Sequence, residues 1–148
     1  MRGAELDIRW TQEERDVSLA LRVREEVFCV EQGVPRELEH DGLDASALHL
    51  LAVDRRTDAA VGTLRLLTAG AQAKIGRVAV LPAWRGRGVA SRLLELAVER
   101  ARSLGCSEAR LASQLEATRL YERAGFSVQS GPFEEAGIVH VWMSRGLG

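Results

Sequence analysis

The stretch that most constrains this chain is Ala73 to Leu104, AKIGRVAVLPAWRGRGVASRLLELAVERARSL, which joins a buried strand to a long helix through a glycine-rich turn. Ile75, Val78, Ala79, Val80 and Leu81 put apolar side chains on both faces, the pattern of a central strand, and Pro82 ends it. Val89, Leu93, Leu96 and Arg100, flanked by Ala90, Leu94, Ala97, Val98 and Ala101, recur at helical spacing, with Gly105 as the stop. Between strand and helix lies RGRGVA, Arg85 to Ala90. Gly86 and Gly88 let backbone N–H groups approach a ligand with no Cβ in the way, and the helix N-terminus adds unpaired donors and the positive end of a dipole. The turn reads as an anion cradle of a size to take a pyrophosphate.

A second motif, YERAGF at Tyr121 to Phe126, closes a short helix and turns through Gly125 into a strand. Together the two motifs, with VAVLP leading into RGRGVA, resemble the GNAT superfamily of acyl-CoA-dependent N-acyltransferases, in order and spacing, across nearly the whole chain. RVREEVFCVEQGV, ELEHDGLD and GIVHVWM further resemble its small ElaA-like or YjcF-like bacterial branch. The resemblance implies acetyl-CoA as cosubstrate, held by Val78, Ala79 and Val80 of the strand and by Arg85, Gly86, Arg87, Gly88, Val89, Ala90 and Ser91 of the loop. It also implies that the strand carrying Gly76 splays from the next one and pairs with the pantetheine arm, and that Tyr121 faces the sulfur and protonates the departing thiolate. It supplies no acceptor.

The 148 residues suffice for one soluble domain, 1–148, with a real core, since a chain of this size buries about 70% of its unfolded surface. Lys and Arg number 20 against 21 Asp and Glu, a balance that argues against a nucleic-acid partner held by phosphate neutralisation. No signal peptide and no membrane-length apolar run is visible, so the expected location is cytoplasmic, without a membrane partner. Cys29 and Cys106 show no metal or redox spacing and read as small buried hydrophobes, and no metal is expected.

Leu6, Ile8 and Trp10 alternate as a first strand, and Thr11 with Glu14 reads as a capping box opening a helix through Phe28. From Val30 to Ser46 the periodicity fails, and EQGVPRELEHDGLDAS becomes an acidic loop expected to overhang the cleft and attract a cationic acceptor. Antiparallel strands follow at Leu48–Asp54, Val61–Thr68 and Ala73–Leu81, with Gly76 marking a bulge or a close approach. Ala109 to Ser113 is a parallel strand; Ser113 with Glu116 reads as a second capping box; Phe126–Val128 and Ile138–Met143 complete the sheet. The expected fold is α/β with a mixed, mostly antiparallel sheet, splayed central strands and helices on both faces.

An amine nucleophile must lose a proton, and in many relatives a carboxylate on the central strand takes it; here that strand offers only Lys74 and Arg77. The remaining bases are His140, His40, Glu31, Asp41 and Asp44, of which His140 is the first choice. Glu31 and Gln32, matching the branch's EQ pair, and Asp41 are the substrate-binding candidates. Asp41, Asp44 and Arg65 also resemble residues of the acyl-homoserine-lactone synthases, and Asp41 with Arg65 has a purely structural ion pair as its alternative. The expected activity is transfer of acetyl from acetyl-CoA to a primary amine, small or peptidic, by direct attack in a ternary complex. Assembly as a homodimer stays open. Two other readings remain: a silent acyl-CoA-binding module, and a nucleotide-dependent oxidoreductase suggested by GxGxxS at Gly86, Gly88 and Ser91.

Overall fold

A computed structural model describes residues 5–148. Eight strands form one sheet in the order β1-β2-β3-β4-β5-β8-β6, with β7 pairing β8 at the side. The strands are β1 (Leu6–Trp10), β2 (Leu48–Asp54), β3 (Ala60–Ala69), β4 (Gln72–Val80), β5 (Glu108–Gln114), β6 (Ser127–Val128), β7 (Phe133–Glu135) and β8 (Ile138–Gly146). Every pairing is antiparallel except β4 with β5. This order rules out a doubly wound parallel sheet and with it the dinucleotide reading of the glycine loop.

Helices α1 (Glu14–Arg24) and α3 (Val89–Ser103) lie on opposite faces, α2 (Arg36–Glu39) sits in the loop between α1 and β2, and α4 (Thr118–Arg123) follows β5. The strand period of two decides which face each helix takes. Leu50 and Ala52 join the cluster containing Leu93, Leu94, Ala97 and Val98 of α3, whereas Leu51 and Val53 pack on Ala20 of α1. A Cβ at Gly62 of β3 would meet Val89 Cγ1 at 3.1 Å, so glycine there lets α3 seat closely on the sheet.

The parallel pairing of β4 with β5 covers only Gln72, Ala73 and Lys74 against Glu108, Ala109 and Arg110. Beyond it β4 runs on to Val80 and β5 to Gln114 without pairing, which opens a wedge between the two strands. On its other edge β4 carries a bulge, because Thr63 pairs Ala79 but Arg65 pairs Gly76. The residue that takes the left-handed conformation is Arg77, at φ 53°, and not the glycine beside it.

Neither capping box forms. The first helix starts at Glu14 with no side-chain cap, while the Thr11 amide extends the β1 pairing by donating to the His49 carbonyl at 2.8 Å. Ser113 stays in β5 with its hydroxyl on the Gln114 carbonyl, and a 3₁₀ turn, Leu115–Ala117, separates it from α4. The helix after Arg24 widens into a π-helical segment, Glu25–Glu31. The acidic loop is largely structured, with α2, a 3₁₀ turn at Asp44–Ser46, and both Val34 and Glu39 buried.

Candidate active site

The wedge widens into a cleft of about 760 Å³. Gly86 and Gly88 both have positive φ, 73° and 82°, and Gly88 is the N-cap of α3. The first bond of that helix runs from the Arg92 amide to the Gly88 carbonyl at 3.1 Å, so Val89, Ala90 and Ser91 present amides with no intrahelical acceptor. A Cβ at Gly86 or Gly88 would meet nothing within 4 Å, so the space before these donors is open. Val78, Ala79 and Val80 on the free edge of β4 line the same cleft. Exposed amides, a helix N-terminus and an unpaired strand edge fit the phosphates and the amide-bearing arm of an acyl-CoA.

The two loop arginines divide. Arg85 lines the cleft, donates from Nε to the Val80 carbonyl at 2.9 Å and clasps Glu31 through both terminal nitrogens at 2.7 and 2.6 Å. This contact holds the Glu31 carboxyl below its ordinary range. Arg87 lies outside the lining and covers the Trp84 ring at 4.5 Å. Gln32 accepts from Gln114 Nε2 at 2.9 Å and ties the end of the π-helical segment to the tip of β5 across the wedge.

Tyr121 lines the cleft at 7% exposure, edge-on to Phe126 at 6.5 Å between centroids. Burial pushes its phenol up to about 12, and among the described residues its hydroxyl has no hydrogen-bond partner. His140 also lines the cleft, half of a cross-strand pair with Gln114. Its Nδ1 donates to the Ile138 carbonyl at 2.7 Å, which leaves Nε2 as the acceptor of the neutral ring. His40 is exposed and outside this lining.

The acids of the loop are occupied. Arg24, fully buried, donates to Glu39 at 2.8 Å and to Asp44 at 2.7 Å; Arg65, 3% exposed, binds Asp41 at 2.9 Å and Asp44 at 3.0 Å; Arg77 reaches Glu39 at 2.7 Å and Asp41 at 3.3 Å. Hydrogen bonding from Arg65 holds the Asp41 carboxyl far below its usual range, and at Asp44 the arginines outweigh a burial that acts in the other direction. Three arginines thus neutralise three of the carboxylates expected to draw in a cation, and Glu31 is taken by Arg85. Glu37 is exposed. Burial, followed by Glu39, raises the Cys29 thiol and so disfavours its thiolate.

Comparison with known families decides what this cleft belongs to: the acetyltransferase (GNAT) domain family matches residues 10–147. The chain belongs to the GNAT superfamily. YjcF of Bacillus subtilis, described as an uncharacterized N-acetyltransferase, is 32% identical to this GNAT protein over 133 residues, 89% of the chain and 94% of YjcF. A solved acyl-CoA N-acyltransferase from Pseudomonas aeruginosa shares 33% identity and superposes with a TM-score of 0.83 over 95% of the chain and 99% of its own. Escherichia coli ElaA follows at 27% identity and a TM-score of 0.79, covering 94% and 99%. This GNAT protein is an acyltransferase, and the cosubstrate of its family is acyl-CoA. No described helix is long and apolar enough to cross a membrane.

The sequence pointed to the loop, Tyr121 and His140 through motif and strand alternation. It missed Arg24 and Gln114, and it read Glu39 as part of a cation-attracting loop rather than as the partner of Arg24, 15 residues away; Gln114 and Gln32 lie 82 apart. It also missed β7.

Proposed function

We propose that this GNAT protein transfers acetyl from acetyl-CoA to a primary amine by direct attack, with both substrates in the cleft together. The observation that carries the reading is the convergence in one cleft of the α3 amides, the unpaired edge of β4, the Tyr121 hydroxyl and the free Nε2 of His140. Acetyl-CoA supplies the activated acetyl group as a thioester. The amides of Val89, Ala90 and Ser91 receive its pyrophosphate, helped by Gly86 and Gly88, and the free edge of β4 fixes the arm so that the thioester ends near Tyr121.

An alkylamine with a pKa near 10.4 is about three units from neutral at pH 7, so its deprotonation costs on the order of 4 to 5 kcal/mol. His140 Nε2 takes that proton, directly or through one water, and Nδ1 stays on the Ile138 carbonyl to hold the ring in place. The N–C bond then forms and the C–S bond breaks. The nitrogen gives up two protons in all; one ends on the sulfur and one leaves to solvent. Tyr121 donates its O–H to the sulfur as charge builds there. With the phenol at about 12 against an ordinary thiol near 8.5, complete transfer from Tyr121 would be uphill by about 5 kcal/mol, so its main work is a hydrogen bond to the developing thiolate.

The test is an acceptor panel of polyamines, amino acids, aminoglycosides and peptides, reading free thiol from acetyl-CoA. Thiol release that requires an amine supports the reading. Tight acetyl-CoA binding with no turnover on any amine replaces it with a silent acyl-CoA-binding module.

A further inference from the structure

The face of the sheet opposite α3 has two parts. α1 packs on β2, β3 and β4, but the continuation of that face over β5 and β8 is open: Trp142 and Arg110 are half-buried and Lys74 is exposed. Three rings line it in a row. Phe133 stacks on His140 at 5.9 Å and 24°, and on Trp142 at 5.5 Å and 22°. At the far end from His140, Lys74 Nζ lies 5.3 Å and the Arg110 guanidinium 4.4 Å from the centre of the Trp142 ring.

Lys74 and Arg110 are direct cross-strand partners at the last pairing before the wedge opens. Like charges in that position repel. Neither forms an ion pair among the described residues, and Glu108, the nearest carboxylate on that face of β5, is hydrogen-bonded to Gln72 at 2.7 Å. Two adjacent cations on one aromatic ring, with no anion of the described residues between them, make a place for an anion from outside. Lys74 lines the same cleft as His140.

Resting on the acetyltransfer reading, we propose that the acceptor is an extended peptide whose N-terminal amine meets His140 and whose acidic group, three or four residues on, is held by Lys74 and Arg110 over the Phe133 and Trp142 rings. The length comes from the register. His140 pairs Gln114 and Lys74 pairs Arg110, so four steps along β5, about 13 Å at roughly 3.3 Å per residue, separate the base from the cations. An extended peptide covers about that distance in four residues. The aromatic floor accepts side chains with little regard to sequence, and the charge pair fixes the register.

The experiment compares C-terminally amidated Ala-Ala-Ala-Glu, Ala-Ala-Ala-Gln and Ala-Glu-Ala-Ala. kcat/KM is read from thiol release, and Kd from calorimetric titration into the CoA-loaded protein, which needs no turnover. The first peptide should exceed the second about tenfold in both measures and should exceed the third, with an advantage that shrinks in salt. In Lys74→Ala and Arg110→Ala, checked for folding by their melting temperatures, the Glu-to-Gln ratio should fall toward one, and Lys74→Arg should keep it. A ratio of one in the wild type, a ratio that survives both alanine variants, or turnover confined to small amines overturns the proposal. If no amine at all yields thiol, the acetyltransfer reading fails, and a Kd ratio of one at the same time shows that the peptide site fails independently.

Discussion

Arg77, held left-handed at φ 53° in the bulge of β4, donates from Nε to the buried carboxylate of Glu39 at 2.7 Å and from a terminal nitrogen to the Glu39 carbonyl at 3.0 Å. A non-glycine residue in that conformation costs about 1 to 2 kcal/mol, which the clamp offsets. Since Glu39 also neutralises Arg24, one carboxylate links α1, the loop and the strand that edges the cleft.

Glu39→Gln should therefore destabilise strongly, by about 3 to 5 kcal/mol, because it leaves the fully buried Arg24 short of countercharge. Arg24→Met combined with Glu39→Leu should recover much of that loss. Urea denaturation of the single and double variants measures both.

Arg77→Ala removes the clamp and keeps the left-handed strain, so the bulge should relax and the β4 edge should shift. The expected result is a several-fold rise in KM for acetyl-CoA with kcat less affected, read by initial rates. Arg77→Gly accepts the same backbone without strain and should be the more stable of the two variants.

Gly88→Asp should abolish acetyl-CoA binding, since it sets a carboxylate before the amides proposed to receive the pyrophosphate. At φ 82° it also costs about 1 kcal/mol of stability, which Asp tolerates better than most residues. The check is the thermal shift produced by millimolar acetyl-CoA: clear for the wild type, about 2.7 kcal/mol at a hundredfold excess over Kd, and gone in the variant.

Tyr121 is the one tyrosine of the chain, so the phenolate absorbance band titrates it alone. Its pKa is raised in the folded state, from about 10 to about 12, so this contribution to stability is complete below pH 10 and is lost as pH rises toward 12. Two units correspond to about 3 kcal/mol. The wild type should lose stability across that window, and Tyr121→Phe should lose less. The same variant should keep acetyl-CoA affinity while kcat falls by about 10²-fold or more.

His140→Gln retains a group able to donate to the Ile138 carbonyl but has no basic nitrogen. The predicted outcome is a fall of about 10²-fold or more in kcat/KM, with acetyl-CoA affinity unchanged. A variant that retains kcat/KM would move the base elsewhere in the cleft.

The elements with strong local signals were legible from the chain alone. The apolar run of Leu48–Asp54 marks a strand buried on both faces, helical spacing in Val89–Ser103 records which side chains face the core, and RGRGVA records a conformation that only glycine adopts cheaply. Tertiary structure decided the rest. Both sequence capping boxes are absent, because the Thr11 amide and the extended backbone at Ser113 are claimed by strand pairing, which a four-residue pattern does not register. The acidic loop reads as a field of negative charge and folds into a compensated network, because Arg24, Arg65 and Arg77 come from three other elements. Electrostatic character belongs to the charges that meet in space, and strand and helix periods fix a residue's face without fixing its neighbours across the sheet. For that reason the sequence singled out the glycine loop, Tyr121 and His140 as candidates, while the opening between β4 and β5 and the cations at its base depended on which strands pair and where the pairing stops.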